Sequence, residues 1–190
     1  DTDKRGTLTT YTYDKLNRNL TTTKDLLLIS KLEYDEVGNV KFSTDARNNV
    51  TANIYDKRNL LITESRPLAA ITNYQYDSMG NRTQTRDPEA RLNSATFDLR
   101  NRMLTQTNGM SEVTTHTYDL NGNRLTTKRP KGNTWLYTYD NANRLQTITD
   151  PLTGVTTFNY DKNSNKLSQT DAKGYATAYT YDELNRQKTT

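Results

Sequence analysis

Polar and apolar positions alternate along short stretches of the chain, as they do in β-strands. Residues 134–139 (TWLYTY) place large aromatic side chains at every second position and Thr or Leu between them, which is the two-residue period of a strand. The polar segment 140–143 predicts a turn. Residues 145–149 then form a second short run of Thr and aliphatic residues. This segment is therefore predicted to be a β-hairpin, and the Asp, Pro and Gly of residues 150–154 predict the next turn.

The same pattern returns every 21 residues along the whole chain. An aromatic residue followed by Asp occurs nine times at this constant spacing, at Tyr13-Asp14, Tyr34-Asp35, Tyr55-Asp56, Tyr76-Asp77, Phe97-Asp98, Tyr118-Asp119, Tyr139-Asp140, Tyr160-Asp161 and Tyr181-Asp182. Repeats of this length indicate a stack of identical supersecondary units. We predict an all-β fold, in which nine 21-residue antiparallel hairpin repeats form one curved or spiralling sheet over residues 1–190.

Alternate copies differ in the turn after the aromatic-Asp pair. The odd copies have Asn four residues after the aromatic residue, whereas the even copies have Gly or Ser there, followed by Asn. The sequence thus predicts a 42-residue unit with two turn types. Because Gly-Asn can supply two positions of positive φ, the even turn is expected to be one residue longer. Recent duplication of a 42-residue block, without mechanical meaning, explains the pattern equally well.

A second turn is predicted about ten residues before each aromatic residue. Asp occupies it in several copies, often with Pro or Gly nearby, and copies two and four deviate, with Lys24-Asp25 and Arg66-Pro67; the Asp positions are Asp3, Asp45, Asp87, Asp150 and Asp171. No stretch has the composition of a linker. One continuous array, cut from a larger chain, is the expected domain organisation.

Composition narrows the class of protein further. Leu, Ile, Val and Phe together make up about 17% of the 190 residues, while Thr (34 residues) and Tyr (13) are abundant. So few aliphatic residues argue against an enzyme with a thick core, and a net charge of +4 is too small to enforce disorder. Thr and Tyr favour strands. No apolar run approaches the length of a membrane span, and the absence of Cys excludes disulfides and thiolate metal sites.

The nine aromatic-Asp pairs are the candidate structural residues. The aromatic side chains are expected to form a ladder along one face of the sheet, where each Tyr hydroxyl can meet polar neighbours. Each Asp is expected to accept hydrogen bonds from backbone N–H groups of its turn. Since each repeat contacts only its neighbours, stability should be a sum of nearest-neighbour contributions.

Candidate chemical sites are few. His116 is the only histidine and occupies a strand position equivalent to Tyr137, so a packing role is favoured over that of a catalytic base. Two stretches loosely resemble calcium loops, 1–6 and 119–123, but neither has the later bidentate Glu of such a loop. We expect no catalytic residue, no cofactor and no metal ion.

Basic residues also recur with the repeat and are predicted to line one edge of the sheet. They could bind a polyanion or an acidic glycan, in which case the affinity should fall steeply with added salt. Alternatively, they solvate that edge and neutralise the repeat Asp residues. The positions are Arg18, Arg82, Arg102, Arg124, Arg144, Lys166 and Arg186.

The turn motifs resemble those of the YD-repeat or Rhs (rearrangement hotspot) family, whose pattern is roughly G-x-x-x-x-x-Y-x-Y-D-x-x-G-R-L. The matching segments are YDKLNR, YDSMGNR, YDLNGNR, YDNANRL and YDELNR, and the resemblance extends over essentially the whole chain. Copies three and five depart most, with Asn53 and Ala95 in place of the first aromatic residue and Phe97 in place of the second. Residues 150–154 (DPLTG) superficially resemble part of the family's self-cleavage segment, but they are in phase with the other turns.

This resemblance implies a function. Family members form a β-strip that spirals into a hollow cocoon, which encloses a toxic polypeptide in bacterial toxins and contributes to adhesion ectodomains in teneurins. The expected function is a structural wall segment of a secreted or surface toxin-type protein. Its expected partners are flanking repeats of the same chain and an encapsulated toxin polypeptide. The alternative is an extracellular adhesion or glycan-binding array.

Overall fold

The computed structural model describes residues 6–189, and the chain divides into two compact units, Asp1–Ser94 and Ala95–Thr190. In the first unit the strands are β1 (Thr9–Tyr13), β2 (Asn19–Lys24), β3 (Leu27–Tyr34), β4 (Val40–Asp45), β5 (Val50–Tyr55), β6 (Leu61–Arg66), β7 (Ala70–Tyr76) and β8 (Arg82–Arg86). Strand β9 (Leu92–Phe97) crosses the division. The second unit continues with β10 (Met103–Thr107), β11 (Val113–Tyr118), β12 (Arg124–Lys128), a one-turn 3-10 helix (Pro130–Gly132), β13 (Thr134–Tyr139), β14 (Leu145–Thr149), β15 (Val155–Tyr160), β16 (Lys166–Thr170), β17 (Ala176–Ala178), β18 (Thr180–Tyr181) and β19 (Gln187–Thr189).

Within the first unit, each strand pairs antiparallel with the strand that follows it in the chain. Each hairpin that contains the repeat aromatic residue has the same irregularity of register. In β7 and β8, Gln75 lies opposite Gln84, whereas Tyr76 lies opposite Arg82, so that Thr83 is an extra residue in its strand. This is a β-bulge, and it lies directly beside the tyrosine.

The second unit repeats this arrangement. Strands β10 to β17 pair antiparallel in chain order, while β18 and β19 form a separate two-stranded sheet. In β13 and β14, Thr138 lies opposite Thr147 and Tyr139 lies opposite Leu145. The bulge therefore lies at the same place in the repeat as in the first unit.

The two faces of each hairpin differ in exposure. In β13 the aromatic residues Trp135, Tyr137 and Tyr139 are half-buried, whereas Leu136 and Thr138 on the opposite face are exposed. On that exposed face, threonine hydroxyls of paired strands bond to one another at 2.6–2.8 Å; the pairs are Thr12–Thr21, Thr96–Thr105, Thr117–Thr126, Thr138–Thr147 and Thr180–Thr189.

Among residues 6–189 no hydrophobic side chain is buried, and the single residue of this range that is almost enclosed is Thr127, which is 7% exposed. The predicted all-β fold of antiparallel hairpins without a thick core is confirmed. Stability in such a fold must come from contacts between neighbouring hairpins, because a lone hairpin hides too little surface to be stable.

Candidate functional site: the links between successive hairpins

Each repeat Asp organises a five-residue turn. In residues 140–144, the Asp140 N–H donates to the Arg144 carbonyl at 2.9 Å, and Asn143 N–H donates to the Asp140 carbonyl at 2.9 Å. The Asp140 Oδ1 atom accepts from the backbone N–H groups of Ala142 and Arg144, both at 2.9 Å. The bond from the N–H four residues later is present in all nine copies, at Asp14, Asp35, Asp56, Asp77, Asp98, Asp119, Asp140, Asp161 and Asp182.

These hydrogen bonds favour the ionised carboxyl. The bond from the Arg144 N–H holds the pKa of Asp140 below its ordinary value of 3.8, with a further contribution from the Arg144 side chain. In Asp35, the side-chain amide of Asn39 has the largest effect and lowers the pKa in the same direction. The pKa is also lowered in Asp14, Asp45, Asp56, Asp77, Asp87, Asp98, Asp119, Asp161 and Asp182.

The odd and even turns have the same length, so the prediction of a longer even turn is wrong. Both are closed by a bond from the Asp N–H to the carbonyl four residues later. Each has one residue of positive φ, which is Asn143 (φ 59°) in an odd copy and Gly122 (φ 96°) in an even one. Asn123 does not have a positive φ. Its side chain instead bonds to the Asp119 carboxylate at 2.9 Å.

The second turn of most repeats is built in the same way. Asp150 accepts from the N–H groups two and four residues later, so residues 150–154 form an ordinary repeat turn. Asn108 takes the Asp role in copy six, where its Oδ1 accepts from Met110 and Glu112. The loops that deviate in sequence are different: Lys24 pairs directly with Leu27, across two residues of positive φ.

The tyrosine hydroxyl links each repeat to the one before it. Tyr160 Oη donates to the carbonyl oxygen of Leu145 at 3.0 Å, and Leu145 is the residue paired with the preceding repeat's Tyr139. The same bond, always to the carbonyl 15 residues earlier, occurs at 2.9–3.0 Å from Tyr34, Tyr55, Tyr76, Tyr118, Tyr139, Tyr160 and Tyr181. Phe97 has no hydroxyl with which to form it.

In copies one, five and seven, the arginine that ends the odd turn links its repeat to the next one. The Arg144 Nε atom bonds to Asp140 Oδ2 at 2.7 Å, and Nη1 bonds to the carbonyl oxygen of Asp161 at 2.6 Å. The guanidinium also lies over the ring of Tyr160, 4.8 Å from its centroid. Arg18 and Arg102 occupy equivalent positions over Tyr34 and Tyr118.

Exposure shows what the following tyrosine ring covers. The side chains of the three linking arginines are exposed to a similar extent, which is 28% for Arg18, 24% for Arg102 and 25% for Arg144. Arg91 makes a corresponding ion pair with Asp87 at 2.6 Å in a second turn, yet its side chain is 61% exposed.

This difference provides a matched pair of variants. We expect Arg144→Gln to lower the free energy of unfolding by about 1 kcal/mol, because it removes a hydrogen-bonded, partly desolvated ion pair and a cation–π contact. Arg91→Gln should have a much smaller effect, since an exposed ion pair contributes little. Denaturant-induced unfolding followed by far-UV circular dichroism measures both. Equal losses in the two variants would contradict a role in linking repeats.

Asparagine takes the linking role in the even turns. The Asn123 Nδ2 group donates both to Asp119 Oδ2 of its own turn, at 2.9 Å, and to Asn143 Oδ1 of the next turn, at 2.8 Å. Asn165 bonds in the same way to Asp161 and Asn185, and Asn39 to Asp35 and Asn59. Sequence reasoning treated these asparagines only as turn residues. Their regular position after Gly or Ser was the signal that could have identified them.

The basic residues predicted to line one edge therefore have two kinds of surroundings. Arg18, Arg102 and Arg144 are already bound to carboxylates and carbonyls. In the even copies, Arg82, Arg124 and Lys166 begin strands instead, and they lie over the rings of Tyr74, Tyr137 and Tyr179 at 5.5, 5.0 and 4.5 Å respectively. Polyanion binding at these positions stays a prediction.

Other candidate sites have ordinary surroundings. His116 Nδ1 lies 3.1 Å from Thr127 Oγ1, and burial lowers the pKa of this imidazole. Within residues 6–189, no group of three His, Asp or Glu side chains could hold a metal ion. In the segment 119–123, both Asp119 carboxylate oxygens accept from Asn123; Asp1 and Asp3 of the other predicted loop lie outside the described residues. No helix in the described part of the chain has the length and apolar character to cross a bilayer.

Comparison with known proteins agrees with this architecture. The RHS Repeat family profile matches residues 55–92 and 123–155. A comparison with curated proteins gives no significant match. Among solved structures, the crystal structure of TcdB2-TccC3-Cdc42 superimposes with a TM-score of 0.74 at 15% identity, covering 96% of this chain and 12% of that one.

Two further structures share the fold. The crystal structure of TcdB2-TccC3 gives a TM-score of 0.71 at 15% identity, covering 95% of this chain and 13% of that one. A structure of the Photorhabdus luminescens Tc holotoxin pore with a mutant TccC3 gives 0.59 at 14% identity, with coverage of 95% and 13%. This chain thus spans about an eighth of the length of those proteins. The RHS-repeat matches, together with the shared all-β hairpin fold, support the resemblance of this chain to the YD-repeat, or Rhs, family.

Proposed function

We propose that this chain is a structural wall segment of a toxin-type shell, which encloses a toxic polypeptide supplied by another part of the same protein. The observation that carries the proposal is the set of links between hairpins. These links are the tyrosine hydroxyl bonds, the arginines of the odd turns and the asparagines of the even turns. A sheet held by such links has no need of a thick core on either face. It can therefore separate an interior from an exterior, which is the requirement for a wall.

The comparisons support the proposal through the nature of the matching proteins. The structures that share this fold contain TccC3; one of them is a Tc holotoxin pore, and another lacks a hypervariable C-terminal region. By analogy, the partners of this segment are flanking repeats and an enclosed polypeptide. We further propose that it performs no catalysis itself and acts in a secreted or surface-exposed protein.

Protease protection tests this proposal in the longest natural chain that contains these 190 residues. We expect the polypeptide outside the repeats to resist a broad-specificity protease while the wall is intact. The double variant Tyr118→Ala/Tyr160→Ala should open the wall, because it loses two hydroxyl links and the rings over which Arg102 and Arg144 lie. Cleavage should then be faster by about tenfold or more. Leu152→Ala is the matched control, since Leu152 is 89% exposed at a turn. If the polypeptide is cleaved as rapidly in the unaltered protein as in the double variant, the proposal is overturned.

The alternative function, an adhesion or glycan-binding array, has less support. The odd arginines that would contact an anionic ligand are engaged within the sheet. Trp135, the single tryptophan, lies under the guanidinium of Arg129 at 4.4 Å. No observation on the described residues favours this function over the wall.

A further inference from the structure

The two kinds of link differ in what they require from the next repeat. We infer that the array is assembled from units of two repeats, 42 residues long, because an odd turn fits only an even turn after it, and an even turn fits only an odd one. The alternation is then a mechanical requirement of the fold. The inference does not depend on what the wall encloses.

The arginine link requires a small residue in the turn that follows. A Cβ atom added at Gly122 would lie 3.9 Å from Arg102 Nη1, and one added at Gly38 would lie 3.6 Å from Arg18 Nη1. The guanidinium thus lies over the positive-φ residue of the even turn. Where that residue is Ser164, its hydroxyl accepts a bond from Arg144 Nη1 at 3.3 Å. A Cβ atom makes ordinary contact at these distances, and we expect the longer Asn side chain of an odd turn to compete with the guanidinium for the space beyond it.

The asparagine link requires an acceptor in the turn that follows. Asn39, Asn123 and Asn165 each donate to the Oδ1 atom of the positive-φ asparagine in the next turn, at 3.1, 2.8 and 2.8 Å. A primary amide has two N–H donors, and these asparagines use the other one for the Asp of their own turn. Glycine offers no side-chain acceptor, so an even turn followed by another even turn would lose this bond.

Copy three distinguishes a mechanical requirement for the link from an alternation that is only left over from duplication. Leu60 stands there in place of the odd arginine. Arg58, two residues earlier, supplies the guanidinium instead: its Nε bonds to Asp56 Oδ2 at 3.1 Å and its Nη1 to the Asp77 carbonyl at 2.7 Å. The link is therefore kept although the residue has moved. Copying alone gives no reason for this substitution.

Two internal deletions test the inference in the full chain. Deleting residues 119–160 removes two repeats and joins an odd turn to an even one. Deleting residues 119–139 removes one repeat and joins two odd turns. We expect the shorter deletion to give the lower melting temperature, by about 2–4 °C or more. If thermal stability instead decreases with the number of residues removed, the inference is overturned.

A double-mutant cycle decides the question if neither deletion variant folds. Arg102→Asn and Gly122→Asn should each lower the melting temperature, because each breaks the odd-to-even link, and the second also strains a residue with φ of 96°. Combined, they recreate the donor and acceptor of the even-to-odd link at this junction. The double variant should therefore melt higher than the sum of the two single shifts predicts. Additive shifts would overturn the inference.

Discussion

Replacing Tyr160 by alanine is expected to lower the free energy of unfolding by about 2–4 kcal/mol, among the largest effects of any single substitution in this chain. The variant loses the half-buried ring, the hydroxyl bond to Leu145, and the platform on which Arg144 lies. Loss of the ring also exposes the ion pair between Arg144 and Asp140 to solvent. Chemical denaturation followed by tyrosine fluorescence and circular dichroism measures the change.

Two controls separate the parts of this effect. Tyr160→Phe removes only the hydroxyl and should cost about 1 kcal/mol; Phe97 shows that the repeat accommodates a ring without it. Hydrogen exchange should accelerate in β14 to β16 of the alanine variant and stay unchanged in β10 and β11, because each repeat contacts only its neighbours. A uniform loss of protection, or a cooperative loss of all strand signal, would show that the array does not behave as linked neighbours.

Acid is expected to destabilise the whole array below about pH 4. The folded chain lowers the pKa of the turn carboxyls below their ordinary 3.8, so the unfolded chain takes up protons first as the pH falls. The contribution of the turns is thus complete above about pH 5, and it is lost as the pH falls through 4 and below the folded pKa values. Melting temperatures between pH 7 and pH 2 measure this loss.

Two variants identify the groups responsible. Burial also lowers the pKa of His116, so a His116→Gln background removes its titration, which begins near pH 6.5 in the unfolded chain. Asp45→Asn should reduce the acid sensitivity, because its amide oxygen can accept the same two backbone N–H bonds, as Asn108 does, while a flip of the Asn49 amide presents an oxygen to the new NH2 group. Unchanged acid sensitivity after several such replacements would assign the transition to groups other than the turn carboxyls.

The sequence predicted the features that lie within one repeat. Alternating aromatic residues identified the strands, and the constant spacing of the Tyr-Asp pairs identified the hairpins and their number of residues. The Asp turn was also predictable, because a carboxylate that follows a strand bonds to N–H groups only two and four residues away. Such local interactions depend on residue type and spacing alone.

The links between repeats were not predictable in the same way. Whether Arg144 binds a soluble anion or the Asp161 carbonyl depends on the stagger of neighbouring hairpins. The turn lengths illustrate the same limit: Gly122 and Asn123 were read together as two positive-φ residues, yet the asparagine is used for its side chain. A residue pattern indicates which groups recur, but only the strand register determines which of them meet.

The short sequence span of the links has a consequence for how the chain acquires its structure. Tyrosine, arginine and asparagine links join residues only 15, 17 and 20 positions apart, although all-β proteins usually fold slowly because their contacts are distant in sequence. Each hairpin can dock onto its predecessor as soon as about one more repeat has left the ribosome. Folding can then advance in step with synthesis, from the first repeat to the last, and a growing chain exposes one unpaired strand edge at its newest hairpin.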